Sequence, residues 1–93
     1  MDAQAIRRRV LEEVGDRGAN RFGRDFRDCV LAEPRIARYS DGRGTESEFW
    51  CVFQEPSDGY HIVYDEELQV YAIATSNVAV SWFDSFLGAV EAL

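Results

Sequence analysis

The spacing between apolar residues changes from a helical period to a strand period about one third of the way along the chain. Near the start, apolar residues recur every three or four positions: Ala3, Ile6, Val10 and Val14. This pattern predicts a helix over residues 3–14, with Asp2 as its N-cap and Gly15 at its end. A second stripe predicts another helix over residues 20–32, which Pro34 must end. Its apolar members are Phe22, Phe26, Cys29 and Val30.

Beyond Pro34, apolar residues alternate with polar ones or form short apolar runs, as they do in β-strands. Turn-forming residues separate four such segments, at residues 35–40, 48–55, 60–64 and 70–75. Because the connections are short, neighbouring strands are predicted to run antiparallel, as a meander.

Ser81 is predicted to begin a last helix, since Asp84 follows it at the spacing of a capping box. Trp82 and Phe83 are expected to pack in the core as part of its apolar face, together with Phe86, Leu87, Val90 and Leu93. The alternative for Trp82 and Phe83 is an exposed aromatic hot spot for a partner. The sequence therefore predicts an α+β fold with two N-terminal helices, a four-stranded antiparallel β-meander and a C-terminal helix packed on the sheet.

Length and composition indicate one soluble domain. The chain has 93 residues, of which 46% are hydrophobic and 13% aromatic, as expected of a packed globule. No apolar run approaches the roughly 18 residues that a membrane span requires. Charged residues interrupt the first fourteen positions at every turn, which argues against a signal peptide. We therefore expect a cytoplasmic protein with no membrane association.

Charge is distributed unevenly along the chain. There is no lysine, and all ten arginines lie between Arg7 and Arg43, where eight acids accompany them and leave +2. From Gly44 onward there are nine acids and no basic residue except the single histidine, which gives −9 and a total of −7. Either the two halves pack together and neutralise each other, or the C-terminal half presents an acidic face to a basic partner. Nucleic acid is disfavoured, because phosphate binding requires a net basic surface.

The single histidine is the first candidate for chemistry. His61 and Asp65 share one face of an alternating strand but lie about 13 Å apart along it, too far to ligate one metal ion. Activation of Cys51 as a nucleophile by His61 is conceivable, yet burial in the most apolar strand would blunt the thiol. Cys29 and Cys51 are expected to be reduced and buried. With no recognisable catalytic or phosphate-binding motif, we expect neither a metal site nor a cofactor, and we expect no enzymatic activity.

A binding surface is the alternative that the acids favour. In a meander, the start of the second strand and the turn after the third strand lie at the same end of the sheet. Acids concentrated there would attract a basic protein. Tyrosine is favoured at interface centres, and three tyrosines accompany these acids in the sequence. The expected partner-binding residues are Glu46, Glu48, Tyr60, Tyr64, Asp65, Glu66, Glu67 and Tyr71.

The run "GYHIVYDEELQVYAIATSNVAVSWFDSFLGAVEAL", residues 59–93, resembles the C-terminal end of SUKH-type bacterial immunity proteins. In both, a glycine opens a strand, an acidic turn follows, and a serine-phenylalanine pattern leads into the last helix. The resemblance implies an inhibitor that inactivates a cognate toxin by binding it. Two other hypotheses stay open: a secretion-chaperone-like homodimer that binds an exported protein, and a small enzyme or ligand sensor that uses His61.

Overall fold

The first helix forms where the sequence predicts it. The structure, a computed structural model, describes residues 2–14, 20–21, 24–25, 29–40, 44–55 and 59–93. Helix α1 spans Ala3–Val14, and the carboxylate of Asp2 caps it by accepting the backbone N–H of Ala5 at 2.8 Å. Three of the four side chains that set the helical period are buried, namely Ile6, Val10 and Val14. The predicted end at Gly15 lies outside the described residues.

The second predicted helix is wrong where the structure describes it. Two-residue strands β1 (Asn20–Arg21) and β2 (Arg24–Asp25) pair antiparallel, and strand β3 spans Val30–Ser40. Pro34 lies inside β3, in a stretch where the pairing register with the next strand shifts. Proline is tolerated at such an irregularity because its missing N–H costs no ladder hydrogen bond there. Phe22 and Phe26 lie outside the described residues.

In the residues that the structure describes, five strands form the main sheet, instead of the predicted four. After β3 come β4 (Glu46–Gln54), β5 (Tyr60–Asp65), β6 (Val70–Thr75) and β7 (Val78–Phe83), each antiparallel to the strand before it. The antiparallel order is thus confirmed. Among the described residues, one parallel pair, Ser40 with Val78, closes the sheet into a barrel, and the Ser40 N–H donates to the Asn77 carbonyl at 2.7 Å.

The last helix begins five residues later than predicted. Ser81, Trp82 and Phe83 belong to β7, where they pair with β6. Helix α2 spans Phe86–Ala92, and its N-cap is Ser85, whose Oγ accepts the Gly88 N–H at 3.0 Å. Among the described residues, no helix is long and apolar enough to cross a membrane.

Side chains that point alternately to the two faces of the sheet form two hydrophobic cores. The helix-side core lies between the sheet and both helices, with members such as Val10, Phe53, Ile62, Tyr71 and Phe86. The fold is therefore α+β with the C-terminal helix packed on the sheet, as predicted. The inner core lies on the opposite face, and its members are Tyr39, Phe49, Cys51, Val63, Ala72, Ala74 and Ala79. Small side chains are suited to the narrow interior of a five-stranded barrel.

Candidate functional site

An open groove of about 1110 Å³ lies at the end of the sheet where β5 turns into β6. Four of the five large apolar side chains that are exposed in the described part of the chain line it, each between 41% and 68% exposed. They come from β3, from the β5–β6 turn and from β7: Ile36, Leu68, Val80 and Trp82. Exposed apolar side chains gathered in this way mark binding surfaces more often than scattered ones do.

Four carboxylates line the same groove. Glu48 belongs to β4, and Asp65, Glu66 and Glu67 come from the end of β5 and the turn that follows. None of the described residues that line the groove is an arginine, and the chain has no lysine. We call these four acids, together with Ile36, Leu68, Val80 and Trp82, the acidic groove.

Glu46, the fifth expected acid, does not line the groove. Its carboxylate lies 3.8 Å from the guanidinium of Arg38 on the neighbouring strand, and both side chains are exposed. An exposed pair of this kind contributes little to stability, but it lowers the charge that Glu46 offers to a partner.

The Asp65 side chain stabilises the turn between β5 and β6 through hydrogen bonds to its backbone. Its Oδ1 accepts the backbone N–H of Glu67 at 2.9 Å and that of Leu68 at 3.2 Å. Its own carbonyl accepts the N–H of Gln69, whose φ of 56° places it in the left-handed region. These bonds hold the turn so that Glu67 and Leu68 both reach the groove.

Two tryptophans organise the groove from different strands. The indole N–H of Trp50 on β4 donates to Glu66 Oε2 at 3.2 Å, which ties this acid to the sheet. Trp82 on β7 packs edge-to-face on Phe49, with ring centroids 5.3 Å apart. Trp82 was expected in the core, yet it is 41% exposed, because it lines the open groove.

The tyrosines expected at the partner surface lie elsewhere. Tyr64 and Tyr71 are 1% and 2% exposed in the helix-side core, where their rings pack 4.8 Å apart and Tyr71 contacts Phe86. The Arg9 guanidinium lies 5.7 Å from the centre of the Tyr64 ring, over its face. Tyr60 is exposed but stands at the far end of β5 from Asp65. The structure thus brings Glu48 and the three turn acids together, and it brings no tyrosine to them.

The apolar half of the groove was missed by sequence reasoning. Leu68 carried a usable signal, since it is a lone large apolar residue inside an otherwise polar turn. Trp82 carried a weaker signal, since an exposed aromatic hot spot is the alternative to core packing there. Ile36 and Val80 carried none, because each has the residue type expected of a buried strand position.

His61 and Cys51 lie in or beside the inner core, away from the groove. The His61 ring packs 5.3 Å from the ring of Tyr39. Burial lowers the pKa of His61 below its ordinary value. Burial also raises the pKa of the Cys51 thiol, and this outweighs the hydrogen bond to Tyr39, which lowers it. Both groups are therefore neutral near pH 7, and the thiol lacks the ionisation that a nucleophile requires.

No three described His, Cys, Asp or Glu side chains are grouped so that they could hold a metal ion. Cys29 and Cys51 are both buried and no disulfide joins them, as the sequence predicts. They belong to different cores, Cys29 to the helix-side core and Cys51 to the inner core.

Comparison with known proteins leaves the acidic groove as the basis for assigning a function: no protein-family model matches the chain, and no curated protein and no solved structure matches it.

Proposed function

We propose that this protein is a binding module that neutralises a basic partner protein, acting as an immunity-type inhibitor. One observation carries the proposal: exposed apolar side chains and carboxylates meet in a single groove. An acidic surface alone serves solubility, and an isolated exposed leucine is ordinary. Together they supply what a protein interface needs, an apolar centre and a charged rim.

Inhibition would proceed by occlusion. The acids of the groove attract the basic face of the partner over roughly 8 Å at physiological salt, which accelerates association. Burial of the exposed apolar side chains then slows dissociation, with Trp82 as the residue type that most often dominates such interfaces. Fast association and slow dissociation suit an inhibitor that must capture a toxin before it acts. The resemblance of residues 59–93 to SUKH-type immunity proteins supports the same function.

A co-expression experiment tests the proposal. Cells that express candidate basic toxins should grow when the wild-type protein is present. A groove double variant, Glu48→Gln with Glu67→Gln, should protect less, and its association with the toxin should be slower at low ionic strength. The matched control is Glu12→Gln with Glu33→Gln, which removes two exposed acids outside the groove.

Equal protection and equal association rates for the two double variants would contradict the proposal. So would association rates that do not respond to ionic strength, because steering by exposed charges is screened by salt.

A secretion-chaperone-like homodimer is the second candidate, because an exposed apolar groove also suits a segment of an exported protein. Light scattering coupled to size-exclusion chromatography separates the two functions. A stable dimer whose formation does not involve the groove would favour the chaperone, whereas a monomer counts against it.

A further inference from the structure

We infer that the acidic groove binds one linear segment of its partner, in which an apolar side chain is flanked by arginines. The inference rests on the proposed function and specifies the chemistry of the partner. Its basis is the arrangement of the two kinds of side chain: the acids come from β4 and the β5–β6 turn, and the apolar residues come mainly from β3 and β7. A segment that crosses the groove meets both.

The size of the groove favours a peptide segment over a small molecule. Its volume of about 1110 Å³ exceeds the roughly 300–1000 Å³ of typical ligand pockets, and it is open to solvent. Leu68 and Val80 line it and are the two most exposed large apolar side chains of the described residues. They provide apolar area that a small ligand would leave uncovered.

Arginine fits this lining better than lysine does. A guanidinium pairs with a carboxylate through two parallel hydrogen bonds and also stacks on an aromatic face. The groove offers both partners, since Trp50 and Trp82 line it beside Glu48 and Glu67. Trp50 also donates a hydrogen bond to Glu66, which ties that carboxylate to the sheet.

Charge argues against a second copy of this chain as the occupant. Each copy carries a net charge of −7, so two copies repel each other at low ionic strength. A cationic segment of a different protein is attracted under the same conditions. We therefore commit to a foreign, arginine-bearing segment.

Short capped peptides test the inference directly. One alternates arginine with leucine; the others replace leucine by glycine, arginine by lysine, or arginine by glutamate. The arginine–leucine peptide is expected to shift the NMR signals of the Trp82 indole N–H and of the Leu68 and Val80 amides. The glycine-containing peptide should bind at least tenfold more weakly, the lysine peptide severalfold more weakly, and the glutamate peptide should not bind.

Tyr60 supplies a matched control for Trp82, because the two aromatic side chains are 40% and 41% exposed and only Trp82 lines the groove. Trp82→Ala should weaken binding of the arginine–leucine peptide about tenfold, whereas Tyr60→Ala should leave the affinity for this peptide unchanged. Circular dichroism checks that both variants fold. If Trp82→Ala does not fold, Trp82→Leu keeps an apolar side chain and should lose the preference for arginine over lysine.

The other possible outcomes separate failure of the inference from failure of the proposed function. Equal affinity for the leucine and glycine peptides overturns the inference and leaves a basic partner in place. If no peptide binds, yet the groove double variant abolishes protection against a toxin, the partner presents a folded surface, so the inference fails and the proposed function stands. Self-association that the groove variants abolish would identify a second copy as the occupant and overturn the inference. If neither peptide nor toxin responds to the groove variants, both proposals fail.

Discussion

Glu13 joins two helices that are far apart in sequence. Its Oε2 accepts the backbone N–H of Leu87 at 2.8 Å, so a carboxylate of α1 caps the first turn of α2. A negative group there satisfies an N–H that has no partner within the helix and also interacts favourably with the helix dipole. We expect Glu13→Ala to lower the free energy of unfolding by about 1–2 kcal/mol in denaturant titrations.

The neighbouring Glu12 is the control for this prediction, because it is exposed on the same helix and has the same helix propensity. Glu12→Ala should change the free energy of unfolding by less than about 0.5 kcal/mol. Similar losses for both variants would show that the Glu13 cap contributes nothing specific.

His61 gives the fold a dependence on pH. Because burial lowers its pKa below the ordinary 6.5, the unfolded chain binds a proton more readily than the folded one. The contribution of neutral His61 to the free energy of unfolding is therefore fully present above pH 6.5. It falls as the pH drops through this value and levels off below the folded-state pKa. His61→Gln should remove this component, whereas the carboxylates titrate in both proteins. Thermal unfolding of the two proteins between about pH 7 and 5 measures the difference, and parallel curves would refute the prediction.

Exposure of single aromatic residues was the least predictable property. Tyr64 and Tyr71 were expected at a surface and are buried, whereas Trp82 was expected in the core and is exposed. Alternation along a strand separates its residues into two faces, but it does not say which face the helices cover. That choice depends on packing between distant elements, which one sequence does not reveal.

Among the elements, those bounded by clear turn signals were predicted best. Strand β6 has the predicted bounds, 70–75, because an acidic turn precedes it and Ser-Asn follows it. Residues 81–83 were assigned to a helix because they also fit a helical stripe. Their pairing with β6 makes them part of a strand instead. Such pairing between strands cannot be read from the spacing of apolar residues.

The turn between β6 and β7 contains a strained residue. Ser76 is the first of its two residues and has a φ of 53°, in a region that glycine adopts without a steric penalty. We expect Ser76→Gly to raise the free energy of unfolding by about 0.5 kcal/mol and Ser76→Val to lower it by about 1–2 kcal/mol. Thermal unfolding provides the measurement. Asn77 is not among the described residues with positive φ, so Asn77→Gly is the control and should not stabilise the protein.

For the whole molecule, the sequence predicted half of the candidate site. A meander brings Glu48 and the turn acids to one end of the sheet whichever way the helices pack, and these acids do line one groove. The apolar half depends on how β3 and β7 approach each other when the barrel closes. In the described part of the chain, that closure involves one residue pair, Ser40 with Val78, which no local pattern indicates.

Charge placement, rather than net charge alone, should govern the stability of the molecule. Glu67→Arg and Glu12→Arg both change the net charge by two, from −7 to −5, but in different surroundings. Glu67 lies in a groove with three other acids, so its reversal relieves repulsion and should stabilise the protein by about 0.3–1 kcal/mol at low ionic strength. Glu12 stands four residues after Arg8 on α1, so its reversal creates a like-charge pair and should destabilise by a few tenths of a kcal/mol. Denaturant titrations at low and high salt measure both effects, which should shrink with salt.

If Glu67→Arg stabilises the fold and also weakens binding of the basic partner, the acids of the groove reduce stability and serve recognition. If both variants shift the free energy of unfolding in the same direction, net charge alone is responsible, and repulsion among the groove acids does not reduce stability.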